Sequence, residues 1–345
     1  RYLQITFRDL NRPLKLYRAG ARKMSYPYEH AGRFSCNDPE ITRIWDAAVR
    51  TMERSTLDTV YLDMYREIRV YADYPQSGLL AMYAAFGNPP VAQRFVKTLA
   101  RYKDANGFFL GVLEDHGEAF TFEQSAQVAT LIADALVCWN DPRQFEELYP
   151  HLIDFIRRTE KFLNEDGVLQ DAQLGFLGSF LDWGGGAAVA GSVGLCQNAM
   201  MVDLMEKALL VAEARGRDED AAYLRTRIEP VRPYLFDHLW DEVKGCYRTY
   251  VKDGVLESRH WMPEARSFND DEWITEHANY AALLLGLGGE GRRERILAAL
   301  DNPEFNVAQT EPMYTLPCVQ ALFRCGEPER ALHYLRDRMK RPFLN

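Results

Sequence analysis

The stretch from Leu62 to Tyr74 gathers three carboxylates, Asp63, Glu67 and Asp73, with Arg66, Arg69, Tyr65, Tyr71 and Tyr74. Cleavage of a glycosidic bond needs a protonated carboxylic acid at the leaving oxygen and a second carboxylate across the sugar ring. Polar groups must hold the sugar hydroxyls, and an aromatic surface suits the sugar face. All of these residue types are present. The same mixture also describes a solvated loop with ordinary tyrosines, so the stretch decides nothing by itself.

Further along, Phe176 and Phe180 precede Asp182 and Trp183, which lead into Gly184, Gly185 and Gly186. An acid and an aromatic plate before three glycines suggest a backbone that passes close to something; a buried tryptophan with an aspartate cap is the plainer alternative. Trp261, Trp273 and His277 are candidate pocket residues, whereas Asp270 and Asp271 suit the start of a helix. A lone helical histidine such as His277 is more often a hydrogen-bonded core residue than a catalyst. Glu114, Asp115, His116 and Glu118 offer ligands for a divalent cation, but neither EF-hand spacing nor an HxxxH pair supports one. No metal and no cofactor is expected. Glu311, between Thr310 and Pro312, stands where a helix begins, and capping is its default use there.

Other chemistries lack their signatures. No glycine-rich phosphate loop follows a strand, no GxSxG elbow is present, and the six cysteines form no CxxC pair. Cys36, Cys138, Cys196, Cys246, Cys318 and Cys325 read mostly as buried free thiols, which favours a cytoplasmic over a periplasmic setting. A net charge of −9 without a basic patch argues against a nucleic-acid partner. No apolar run reaches the roughly 20 residues that span a bilayer, so no membrane partner is expected. Hydrophobic residues at 47% and charged residues at 26% suit a globular domain able to bury a large core. Oligomeric state is open.

The elements that position these residues are helices. Residues 1–34 alone carry a strand-like pattern, with Tyr2, Leu3, Ile5 and Phe7, and read as the remnant of a β-sandwich domain and a linker. From Asp38 onward about eleven helices are expected. Five junctions combine helix-stop and helix-start residues: 86–90, 139–142, 215–218, 288–292 and 325–328. Between these hairpin turns run long connections near 56–75, 104–121, 164–192, 240–274 and 300–311. Helices entering a hairpin are apolar almost all round, and those leaving it are amphipathic, as in an inner ring inside an outer one. That alternation predicts an all-α (α/α)6 toroid over residues 35–345. It also predicts all five long loops at one end, where chemistry is usually placed.

Phe34-Ser-Cys-Asn-Asp-Pro-Glu-Ile-Thr-Arg-Ile-Trp45 resembles the segment that opens the catalytic domain of bacterial α-L-rhamnosidases of glycoside hydrolase family 78. Phe180-Leu-Asp-Trp183, Thr275-Glu-His-Ala-Asn-Tyr280 and Ala321-Leu-Phe-Arg-Cys-Gly326 follow in the family's order. The resemblance implies an inverting glycosidase in which Glu67, after Arg66, is the general acid. Asp63 and Asp73 would hold rhamnose hydroxyls, Tyr71 would replace the family's tryptophan, and Asp182 and Trp183 would line the sugar subsite. Two departures stand out: Met64 and Tyr65 replace the family's Cys-Pro pair, and the spacing from Asp63 to Asp73 is short. The family's general base lies in a segment ending Trp-Glu that is not found before Asn345, and Glu311 is a weak substitute. The topology calls for one more active-site loop and a twelfth helix.

These readings converge on removal of terminal α-L-rhamnose, or a related sugar, from glycosides or polysaccharides. A polysaccharide lyase would instead use Tyr65, Tyr71 or His116 as base and Arg66 or Arg69 to neutralise a uronate. A non-catalytic sugar-binding relative would fit the altered 63–73 segment.

Overall fold

A computed structural model describes residues 4–29, 32–62, 64, 68–72, 75–87, 89–113, 117–175, 178–185, 187–257, 274–289 and 291–340, with Pro75, Gln76 and Ser77 described as backbone only. The helices are α1 (Pro39–Ser55), α2 (Pro75–Phe86), α3 (Pro90–Arg101), α4 (Phe122–Trp139), α5 (Pro142–Arg158), α6 (Leu195–Ala214) and α7 (Asp218–Ile228). There follow α8 (Val231–His238), α9 (Glu276–Leu284), α10 (Arg292–Asp301), α11 (Thr315–Arg324) and α12 (Pro328–Met339). Among the described residues, eleven helical positions are filled as expected, with one broken into α7 and α8 at Pro230. Proline has no N–H to continue the helical ladder there.

All five tight junctions fall where expected, and their chemistry is visible at 139–142. Asn140 ends α4 in the left-handed region at φ 46°, and Asp141 then accepts the Arg143 N–H at 2.9 Å to open α5. Between α6 and α7, Gly216 takes φ 64°, a conformation that costs a glycine little.

The alternation of helix types is realised in the packing. Every residue of α4 from Phe122 to Leu136 is buried, whereas α3 buries only one face, through Val91, Phe95, Val96 and Leu99. The helices entering the hairpins neighbour one another in the order α2, α4, α6, α9, α11, with α9 buried as fully as α4 but α6 and α11 only in part; α5, α7 and α12 pack outside α4, α6 and α11. Helix α1 touches both α2 and α12. The apolar core runs in two adjoining halves that share α6. Each fully buried Leu, Ile or Phe contributes about 1.5–3 kcal/mol, so the scaffold is set by burial.

Three expectations need correction. The strand pattern near the N-terminus forms no strand among the described residues, and 4–24 is exposed, because an extended segment without a partner edge has no ladder to join. Short strands occur elsewhere, inside the long connections: β1 (Val193–Gly194), β2 (Trp240–Asp241), β3 (Cys246–Tyr247), β4 (Tyr250–Lys252) and β5 (Val255–Glu257). β4 lies between β1 and β5, and β2 pairs with β3, all antiparallel. All six cysteines are free, but only Cys196, Cys246 and Cys318 are buried; Cys138 is exposed because it follows the buried part of α4. Among the described residues no helix is long and apolar enough to cross a membrane.

Asp38 ties the first helix to the last. It accepts the N–H groups of Glu40 and Ile41 at 2.8 and 3.3 Å, and Arg336 Nε of α12 at 2.8 Å. The Arg336 guanidinium, chiefly, holds this carboxyl below its usual range. A carboxylate lowered on folding adds stability above its ordinary pKa and loses it as pH falls through the folded value. Asp38→Asn is therefore expected to lower the thermal midpoint at pH 7, with the gap to wild type closing as pH drops below about 4. Melting curves across pH check this; a gap that ignores pH contradicts it.

Candidate functional site

The five long connections meet at one end of the helices and hold one another there. In the first and second, the Ala72 N–H donates to Gly111 O at 2.6 Å and the Leu113 N–H to Val70 O at 2.9 Å. The third reaches the second through the Phe122 N–H on Gly178 O. β1 of the third pairs with β4 of the fourth, and the fifth runs beside the end of the fourth, with the Ala308 N–H on Ile274 O at 2.7 Å. Side chains from separate loops are thereby brought together.

Buried carboxylates grip these loops. Glu123, at the start of α4, is wholly buried and accepts the Phe180 N–H and Gln197 Nε2, each at 2.8 Å, together with the Ser179 hydroxyl. Burial pushes its carboxyl up, against hydrogen bonds from Ser179, Phe180 and Gln197 that pull it down. Glu276, at the start of α9, accepts the Thr310 N–H at 2.8 Å, Tyr334 OH at 2.9 Å and Arg338 Nη2 at 2.8 Å on both oxygens. Asp182 is the third. Its Oδ1 accepts the Gly184 N–H at 2.7 Å and its Oδ2 the Glu311 N–H at 3.0 Å.

His277 lies against Asp182, with Nε2 2.8 Å from Oδ1. The approach is off the N–H axis, and neither ring nitrogen has an aligned hydrogen bond. The ring also meets Tyr314 at 4.9 Å between centroids.

Of the candidates from sequence, Asp182, Trp183, His277 and Glu311 are brought together. Asp182 is buried beneath the surface, whereas Trp183 is 52% exposed, with Phe180 edge-on at 5.3 Å. Glu311 is half-buried and makes no capping hydrogen bond with its side chain, so its expected use as a cap is not seen. Tyr71 is half-buried and bridges Val112 through the backbone. Asp63, Arg66, Glu67, Asp73, Trp261 and Trp273 lie outside the described residues, as do Glu114, Asp115 and His116. Among the described residues no cluster of His, Cys, Asp or Glu is arranged to hold a metal ion.

Glu123, Ser179, Gln197 and the grip of Glu276 were missed by sequence reasoning. The available signal was a carboxylate in the first turn of an otherwise apolar, buried helix, which also describes an ordinary dipole-complementing residue. Leu181, the neighbour of Asp182 in sequence, and residues of α2, α4, α6, α9 and α11 line a cavity of about 330 Å³. Leu181, Cys196 and Tyr314 lie toward the loops, and Asp134 and Lys207, paired at 2.8 Å, toward the tight turns.

Helical hairpins whose long connections gather round one end are the architecture of the six-hairpin glycosidases. Residues 29–301, well over half of the chain, match the bacterial alpha-L-rhamnosidase six-hairpin glycosidase domain, and the chain belongs to that family. The fold is similar to that of a rhamnosidase from Klebsiella oxytoca with rhamnose bound, at 17% identity and TM-score 0.70, over 91% of this chain and 56% of that one. It is also similar to a GH78 rhamnosidase of Bacillus sp. GL1, at 18% identity and TM-score 0.73, over 92% of this chain and 31% of that one. An alpha-amylase from Clostridium perfringens matches at 12% identity and TM-score 0.55, over 89% and 88% of the two chains. The chain thus spans about half, or less, of the length of the two rhamnosidases. No curated protein matches it by sequence.

Truncating Glu123 takes the acceptor from two buried donors, the Phe180 N–H and the Ser179 hydroxyl, each costing about 1–3 kcal/mol, while Gln197 Nε2 keeps the Ala172 carbonyl at 3.0 Å. Glu123→Ala is expected to lose on the order of 3 kcal/mol in urea unfolding, and Glu123→Gln clearly less, since its amide keeps one acceptor. An alanine variant within about 0.5 kcal/mol of wild type contradicts the role given to Glu123.

Proposed function

We propose that the chain is the (α/α)6 toroid catalytic domain of an inverting glycoside hydrolase that removes terminal α-L-rhamnose, or a related sugar, from glycosides or polysaccharides. Residues 35–345 form the catalytic unit, and 1–34 lead into it from a β domain. The observation that carries this reading is the meeting of five long loops at one end of a six-hairpin glycosidase domain, where Trp183 and Glu311 reach the surface. The rhamnose bound to the Klebsiella oxytoca relative supports the choice of sugar.

Glu67 is the general acid in this reading, protonating the glycosidic oxygen. Asp63 and Asp73 flank it in sequence, and like-charge repulsion keeps its proton on at neutral pH. With Arg66 they bind sugar hydroxyls; Tyr71, Trp183, Trp261 and Trp273 supply aromatic surface, and His277 supports the subsite from beneath. A carboxylate about 6.5–9.5 Å from the acid activates water on the opposite face, giving inversion. Glu311 is the candidate for that role within this sequence. The chemistry calls for no metal or cofactor.

The full-length protein is expected to release nitrophenol from p-nitrophenyl α-L-rhamnoside, with Glu67→Gln slower by about 10²–10⁴-fold. Proton NMR of the first-formed sugar should show the β-anomer. An inert wild type, or an α-anomer as first product, overturns the assignment.

A further inference from the structure

Two surface groups at the mouth depend on one buried carboxylate. Asp182 precedes the half-exposed Trp183 in the third loop and accepts the backbone N–H of Glu311 in the fifth at 3.0 Å. Its other oxygen accepts the Gly184 N–H at 2.7 Å and faces His277 Nε2 at 2.8 Å. The two loops touch directly beside it, since a Cβ at Gly184 would stand 2.1 Å from the Gln309 carbonyl oxygen. The fifth loop is fixed from its other side by Glu276 on the Thr310 N–H. Among the described residues the Glu311 side chain makes no capping hydrogen bond.

A buried carboxylate is a costly way to hold two loops, because an apolar contact of similar volume does so with less desolvation. What the carboxylate adds is direction. We propose that Asp182 is a positioning residue that never touches sugar. It fixes the Trp183 ring and the Glu311 carboxylate relative to each other, as the two sides of a pyranose subsite. The ligand class is a neutral pyranose, stacked by its apolar face on Trp183 and donating a rim hydroxyl to Glu311. This rests on the glycosidase reading above with one change: Glu311 binds substrate in place of serving as the candidate base, so that Glu311 and Asp182 act as one unit.

The test uses full-length protein, with Asp182→Asn, Glu311→Gln and the double variant. L-Rhamnose binding is measured by calorimetry, and the Trp183 ring is followed by ¹⁹F NMR of fluorotryptophan-labelled protein, assigned with Trp183→Phe. Asp182→Asn is expected to shift the Trp183 resonance without ligand and to weaken rhamnose binding about tenfold, as a lost charge-assisted hydrogen bond would. Asp182→Asn should cost little more once Glu311→Gln is present, since coupled groups are not additive. Fully additive losses, or an unmoved Trp183 resonance in a folded Asp182→Asn protein, overturn the positioning role. A wild type that neither binds nor hydrolyses rhamnosides, while Asp182→Asn still shifts Trp183, defeats the sugar assignment and leaves the coupling standing.

Discussion

Long loops without much secondary structure of their own must find partners for their backbone N–H groups, and here buried carboxylates supply them. Glu123 holds the Phe180 N–H, Asp182 the Gly184 and Glu311 N–H groups, and Glu276 the Thr310 N–H. Burying a carboxylate is costly unless its oxygens are paired, and at these three positions N–H, hydroxyl, amide and guanidinium donors reach both oxygens of each. The geometry of the mouth follows from those bonds, since all but the local one at Gly184 join a loop to a rigid helix start or to a second loop.

The scaffold makes this arrangement possible. Tight turns of a few residues place each buried helix beside its outer partner, so the long connections have only the other end to occupy. Glu123 and Glu276 sit in the first turns of α4 and α9, the end at which a helix favours negative charge. The last helix contributes too: Tyr334 and Arg338 of α12 reach Glu276, while Arg336 of the same helix reaches Asp38. Glycosidase chemistry, which turns on placing two carboxylates on opposite faces of one sugar, suits a mouth whose backbone is fixed in this way.

Much of this was legible in residue types. The junctions 139–142 and 215–218 announce themselves because Asn, Gly, Asp and Pro act through local backbone geometry, which a short window contains. The burial of α4 is equally plain from its composition. Glu123 was not legible, because its partner Ser179 lies 56 residues away and nothing local distinguishes a gripping carboxylate from a solvated one. Strands of two or three residues such as β1 and β3 leave no alternating pattern to detect. The clearer pattern near Ile5 and Phe7 forms no ladder, since strand pairing depends on a partner edge and not on propensity. Asp182, Trp183, His277 and Glu311 could be singled out from the sequence, but that Asp182 and His277 are buried while Trp183 is exposed and Glu311 half-buried needed the fold.

The most direct test of the central claim is amide hydrogen exchange at Phe180, Thr310 and Glu311, read by NMR on the intact protein. If buried carboxylates hold these loops, the three amides exchange as slowly as those inside α4, and Glu276→Gln releases Thr310 while leaving Phe180 protected. If all three exchange at the rate of open loops in the wild type, the mouth is not held by these carboxylates and the account of the site fails.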